Sequence, residues 1–188
     1  MLRLCVTGRG GVGKSSLTIR YLRDEFTEYY DPTIEETYQK EIEYAGRFYD
    51  IEIVDTAGQE EFFSFRDSSL ASGDAFLILF AINSRASWLE MKGLHGKIIE
   101  DKEKQSIPII IVGNKRDLEN EREVDNEEIR EYCGSISTPY IETSAKTGLN
   151  VQEAFKLIYG QIHKLKARML EKSLNQKTKR KRRKCNII

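Results

Sequence analysis

Cysteine and histidine are scarce in this chain, and the few present are scattered. Cys5, Cys133 and Cys185 show no C-x-x-C spacing and have no histidine beside them, which argues against a zinc site. His95 and His163 fall where helices are expected; they read as surface or edge residues of those helices, without a catalytic role. No apolar run approaches the roughly 18 residues that a membrane-spanning helix needs. The N-terminus lacks the apolar core and small-residue cleavage site of a secretory signal, so the chain is expected to stay in the cytosol. No internal repeat stands out. Net charge is missing too, since 30 basic residues balance 30 acidic ones. The balance is uneven: residues 177–184 hold seven of the basic residues, leaving 23 basic against 30 acidic elsewhere. An acidic body with a basic tail is a localisation pattern, not a property of the fold.

What is present suits one globular domain. The 188 residues are 39% hydrophobic and 32% charged, enough for a full-sized core. Strand-like and helix-like segments alternate. Residues 2–7 read as a strand and 14–24 as a helix, followed by a polar loop over 25–36. Tyr38, Ile42 and Tyr44 share one parity within 37–44, and Tyr49, Ile51 and Ile53 share one within 47–54. With Ala45-Gly46 between them, the pair reads as a hairpin. Residues 76–82 and 107–113 are continuous apolar runs, suited to strands buried on both faces of a parallel sheet. Helices are expected over 86–103, where Trp88 packs, and over 126–134. A last helix begins near Asn150 as N-cap and buries a stripe of Val151, Ala154, Phe155, Ile158, Ile162 and Leu165. Beyond about residue 170 the apolar pattern fades, and 169–188 is expected to be a flexible tail. The fold class is therefore α/β, doubly wound, with one antiparallel hairpin strand.

Gly8-Arg9-Gly10-Gly11-Val12-Gly13-Lys14-Ser15 carries the most chemical information. It fits the G-x-x-x-x-G-K-[ST] phosphate loop, and it sits between a strand and a helix as that motif requires. Its glycines let backbone N–H groups converge on phosphate oxygens, and the helix N-terminus adds partial positive charge. Lys14 can reach the β- and γ-phosphates, and the Ser15 hydroxyl can ligate Mg²⁺. Asp55, ending the 47–54 strand in Asp55-Thr56-Ala57-Gly58-Gln59-Glu60, can hold Mg²⁺ through water. Asn114-Lys115-Arg116-Asp117 follows the third apolar strand. A carboxylate there can accept from the guanine N1–H and exocyclic amine; adenine offers an acceptor at N1 and lacks that amine.

With Tyr30-Asp31-Pro32-Thr33-Ile34-Glu35 and Glu142-Thr143-Ser144-Ala145-Lys146, these motifs resemble the small GTPases of the Ras family, from residue 2 to about 168 and again at the C-terminus. The resemblance implies a P-loop G domain over 1–168: a six-stranded, mostly parallel sheet with one antiparallel strand and helices on both faces. It implies GTP hydrolysed to GDP with Mg²⁺ as cofactor. Catalytic roles fall to Lys14, to the Gly58 N–H sensing the γ-phosphate, and to Gln59 orienting the attacking water. Thr33 joins Ser15 and Asp55 at the metal in the triphosphate state, making 25–36 a switch. Ala145 N–H meets guanine O6, Lys146 packs on the base and Phe26 stacks on its edge. Asn114 and Lys115 buttress base and phosphate loop. Ser16, Tyr30, Thr56, Ala57 and Ser144 complete the nucleotide site. The effector surface is Tyr30, Asp31, Pro32, Thr33, Ile34, Glu35, Glu36 and Tyr38. Partners are an exchange factor, a GTPase-activating protein and Ras-association-type effectors, with the chain monomeric and no nucleic acid bound. No built-in arginine finger is evident; the partner's arginine is accommodated beside Gly10.

Three positions depart from the family pattern. Arg9 replaces a small residue and reads as a solvated side chain at the loop rim. Glu36 stands where Ras has Asp. Phe62-Phe63 places two aromatics in the second switch, read as a partner surface. Gln59 argues against a close Rap-type assignment. The segment after Asp117 lacks the Rho insert, and the C-terminus lacks the paired cysteines common in Rab, so the Ras-like branch fits best. Cys185-Asn186-Ile187-Ile188 fits C-a-a-X, with the basic run before it as the second membrane signal. That places the chain on the cytoplasmic face of the plasma membrane through a prenylated Cys185. The competing readings are a hydrolysis-deficient, GTP-loaded scaffold, opposed by Gln59 and Gly10, and an ATP-using kinase, opposed by Asn114-Lys115-Arg116-Asp117.

Overall fold

The structure, a computed structural model, describes residues 1–27, 33, 35–58, 63–101 and 107–185. Tyr30, Asp31, Pro32, Ile34, Gln59, Phe62 and the last three residues of the C-a-a-X motif, all given roles above, lie outside them. Six strands form one sheet in the order β2-β3-β1-β4-β5-β6. They are β1 (Leu2–Gly8), β2 (Glu35–Tyr44), β3 (Arg47–Thr56), β4 (Ala75–Ala81), β5 (Ile109–Asn114) and β6 (Tyr140–Glu142). All pairings are parallel except β2 with β3, a hairpin closed at Tyr44 opposite Arg47. Among the described residues, the α-helices α1 (Lys14–Arg23), α2 (Phe63–Ser72), α3 (Arg85–Asp101) and α4 (Asn126–Ser135) lie between strands, and α5 (Val151–Cys185) follows β6. A short 3-10 helix covers Arg116–Glu121.

The continuous apolar runs have a direct structural cause. Every residue of β4 is buried, and successive residues enter opposite cores. Leu77 and Leu79 join Leu4, Val6, Ile51, Ile53, Val112 and Phe155 on one face, under α1 and α5. Phe76, Ile78 and Phe80 join Cys5, Trp88, Met91, Leu94 and Ile129 on the other, under α2, α3 and α4. A central parallel strand covered on both sides has no polar face to show. The hairpin strand β2 lies at the sheet edge, and only its Ile42 is buried.

One helix is absent from the sequence pattern, and two expectations need correction. The helix α2 has no counterpart in the sequence pattern, because its sequence is serine-rich and lacks a clear apolar stripe; Ser69 and Leu70 are buried within it. The helix α5 runs on to Cys185. After Gly160 the chain has neither glycine nor proline, and lysine, arginine, leucine and glutamine are good helix formers. Asn150 does not cap that helix: its φ is +55°, and its side-chain amide donates to the Glu142 carbonyl at 2.9 Å. His95 is buried rather than at the surface. It packs edge-on against Tyr132, its Nε2 lies 3.3 Å from the Thr138 hydroxyl, and burial lowers its pKa. His163 is half-buried, with Nδ1 2.7 Å from the Tyr49 hydroxyl.

Candidate functional site

The sheet order sets the site. From β1 the chain leads to β3 on one side, then crosses to β4 on the other, so β1 lies at the switch point where open α/β sheets bind ligands beyond their carboxyl ends. A cleft of about 540 Å³ opens there. Its walls include Gly11, Gly13, Lys14, Ser15, Ser16, Phe26, Thr33, Thr56, Gly58, Asn114, Lys115, Asp117, Ala145 and Lys146. Motifs spread over more than 130 residues of sequence thus meet in one place. Gly8, Arg9, Gly10, Val12, Asp55, Ala57 and Ser144 are not among the lining residues and flank or underlie them.

At the phosphate end, Gly13 precedes α1 with φ +89°, and a Cβ there would stand 2.6 Å from the Asn114 amide nitrogen. The loop therefore passes against the base-site asparagine only because that position is glycine. Lys14 is 6% exposed, and its Nζ donates to the Arg9 carbonyl at 3.2 Å. Across the cleft, a Cβ on Gly58 would come within 2.7 Å of the Gly10 N and Cα. The Ser15 and Thr33 hydroxyls lie 2.9 Å apart. Asp55 is fully buried at the end of β3, and neither of its carboxylate oxygens has a hydrogen-bond partner among the described residues. Burial pushes its carboxyl up to about 6, against the pull of the Ser15 hydroxyl and the Lys14 ammonium, and Glu36 adds to the rise.

A buried, unpartnered carboxylate beside two hydroxyls is the donor set expected of a hard divalent cation that keeps waters and phosphate oxygens in its shell. Mg²⁺ fits it. Ser15, Thr33 and Asp55 would hold the ion, which when bound supplies charge neutralisation to the phosphates. Among the described residues no cluster of three or more His, Cys, Asp or Glu could bind a metal instead.

At the other end, Asn114 is buried and both ends of its amide are engaged. Its Nδ2 donates to the Val12 carbonyl at 2.9 Å. Its Oδ1 accepts from the Thr143 hydroxyl at 3.0 Å and the Ala145 N–H at 3.2 Å. One side chain thus ties the phosphate loop to the loop after β6. Asp117 accepts from the Ser144 hydroxyl at 2.5 Å through one oxygen. Lys115 turns the chain into the 3-10 helix with φ +66°. Phe26 lines the cleft and packs on the core under α1 and α5. Thr56 lines the cleft, but its hydroxyl donates to the Val6 carbonyl at 3.1 Å, so it serves the strands as well.

Of the departures, Arg9 is more than a solvated rim residue. Its Nη1 stands 3.4 Å from Glu90 on α3, while the side chain stays half exposed. Glu36 accepts from the Tyr38 hydroxyl; burial and that carboxylate push the phenol up to about 12. Trp88 packs beneath α3 as expected, and its Nε1 donates to Glu128 at 2.7 Å.

Two supports escape a reading of the sequence. Arg20 on α1 donates from Nε to the Ala145 carbonyl at 2.8 Å and from Nη2 to the Lys146 carbonyl at 2.7 Å. Thr143 holds Asn114 through its hydroxyl. Thr143 stands inside a motif already quoted, which is the available signal; Arg20 has none, because a guanidinium bonding distant carbonyls leaves no spacing pattern.

The comparisons agree with this geometry. A family model described as "Ras family" matches residues 3–164. The chain is similar to "Protein ras-1" of Neurospora crassa, 44% identical over 170 residues, covering 90% of this chain and 80% of that protein. It is also similar to "Ras-related protein R-Ras" of Rattus norvegicus, 40% identical over 186 residues, covering 99% of this chain and 85% of that one. "Ras-like protein RAS2" of Hydra vulgaris is 43% identical over 153 residues, 81% of this chain and 80% of its own length. With this match over most of its length and this cleft at the ends of its strands, the chain belongs to the Ras family and is a small GTPase of the Ras-like branch.

Proposed function

We propose that this GTPase is a membrane-anchored switch whose first loop closes on the γ-phosphate and Mg²⁺ and so presents Glu35, Glu36 and Tyr38 to Ras-association-type effectors. The observation that carries this reading is the 2.9 Å approach of the Thr33 hydroxyl to that of Ser15, beside the unpartnered Asp55 carboxylate. It joins the loop before β2 to the phosphate loop where a third phosphate and its cation would lie. Slow intrinsic hydrolysis, with Gln59 orienting water, is accelerated by an arginine from a GTPase-activating partner; an exchange factor reloads the site. Binding of a Ras-association domain to the GTP-analogue and GDP forms tests this. A strong preference for the analogue form is expected, and equal or absent binding with nucleotide still held would move its partners outside the Ras effector set.

The membrane half of the proposal rests on Cys185 and the basic run at 177–184. One prenyl chain anchors marginally, and each basic residue near an anionic leaflet adds about 1 kcal/mol. Cys185→Ser is expected to release the protein into the soluble fraction of cells; full membrane retention would overturn the anchor.

A further inference from the structure

We infer that Glu142, with the two arginines it gathers, is a positioning clamp that sets how long and how selectively the site holds the guanine base. The inference rests on the reading that Asp117 and Ala145 face that base.

Glu142 ends β6, just before the loop that carries Thr143, Ser144, Ala145 and Lys146. Arg116 sits beside Asp117, and Arg122 follows the 3-10 helix that Arg116 begins. The Glu142 carboxylate accepts from Arg122 Nη2 through both oxygens, at 2.9 Å each. Arg116 Nε stands 2.8 Å from Oε2, and the Tyr140 hydroxyl donates to Oε1 at 2.7 Å. Both arginines also reach Glu119, at 2.7 Å. The main chain follows the same route: Arg116 N–H donates to the Thr143 carbonyl at 2.9 Å. The Glu142 and Arg122 side chains are only 15% and 13% exposed, so this is not a loose surface pair.

None of Arg116, Arg122 and Glu142 lines the cleft. Their effect on the base must pass through the loops they join, one bearing Asp117 and the other Ser144 and Ala145. Asp117 recognises guanine only if its carboxylate meets two N–H groups at hydrogen-bond distance and angle, and such bonds weaken steeply with misalignment. A charge-assisted cluster directly beneath both loops restricts their separation. Arg116 adds a second guanidinium to a carboxylate that Arg122 already forks, which tightens the side nearest Asp117.

The test uses the full chain loaded with a fluorescent GDP and chased with excess GDP, and competition by inosine diphosphate, which lacks the exocyclic amine. Glu142→Gln keeps the shape and removes the charge. It is expected to release GDP about tenfold faster and to lower the preference for GDP over inosine diphosphate about threefold, the size of effect that weakening a charge-assisted hydrogen bond beneath the site produces. Arg116→Ala, at a half-exposed side chain, is expected to give a smaller change in the same direction. The double variant is expected to be no faster than Glu142→Gln alone, because Arg116 acts through Glu142. Release within about twofold of the parent in both single variants would overturn the clamp. So would faster release with an undiminished preference, which is what general loosening produces, and so would additive effects in the double variant. If Glu142→Gln does not fold, Arg116→Ala decides by its preference ratio. A parent chain that fails to hold GDP would instead remove the reading of the base site.

Discussion

Asn114 shows how one side chain couples two ends of the cleft. Its amide holds Val12 of the phosphate loop, Thr143 and the Ala145 N–H, all buried. Asn114→Ala removes three such bonds at roughly 1 kcal/mol each, so GDP affinity is expected to fall on the order of a hundredfold, read by titration calorimetry. A reduction of less than about threefold would mean that the loops hold their places without it. Gly58 tests the opposite end. Its added Cβ would lie 2.7 Å from the Gly10 backbone, so Gly58→Ala must displace one loop or the other. GDP binding is expected to survive, and the affinity for a GTP analogue relative to GDP to drop by about tenfold, since overpacking costs roughly 1–3 kcal/mol. At this scale the sequence is most readable where a residue is its own motif: Lys14, Asp55, Asn114 and Asp117 stand where their spacing puts them. Arg20 is opaque because its partners are carbonyls brought near by folding; Glu142 opens a quoted motif, but its charged partners on the loop after β5 leave no spacing pattern.

Elements are readable in proportion to their burial. The strands β4 and β5 announce themselves as apolar runs, because both faces of each are covered. The helix α2 does not, since its sequence has no clear apolar stripe. Between α3 and α4, where Trp88 and His95 pack edge-on against Tyr132, there is also an electrostatic tie: Glu128 accepts from Arg85, from Trp88 Nε1 at 2.7 Å and from Lys92 at 3.3 Å. Arg85, then Trp88 and Lys92, hold its carboxyl down to about 2. A depressed carboxyl stabilises the fold above its ordinary value near 4.5, and that contribution is lost as pH falls toward 2. Glu128→Gln is therefore expected to lower the neutral-pH thermal midpoint by about 2–4 °C, after discounting for solvent screening of a site about one-third exposed. The gap should close as pH falls below 4.5 in a calorimetric or circular-dichroism series; a gap constant with pH would show that shape, not charge, ties the helices.

For the whole molecule, the cleft closes over a fully buried carboxylate, Asp55, that has no hydrogen-bond partner among the described residues. Binding there should act as a stabiliser of the entire fold. At a thousandfold excess over its dissociation constant, a ligand adds about 4 kcal/mol, so stripping nucleotide and Mg²⁺ is expected to lower the thermal midpoint by about 10 °C. A change of about 2 °C or less in differential scanning fluorimetry would count against tight ligand binding at this cleft.

The helix α1 has a further consequence. It starts at Lys14, at the end of the Gly8–Ser15 loop, and six residues later Arg20 donates to the Ala145 and Lys146 carbonyls. An α-helix rises 1.5 Å per residue, so about 9 Å of rigid rod separates the two grips. The protein therefore gauges its ligand by length as well as by chemistry. A nucleoside with too short a phosphate chain satisfies the base end or the phosphate end, while one of the right span satisfies both at once and makes each grip strengthen the other.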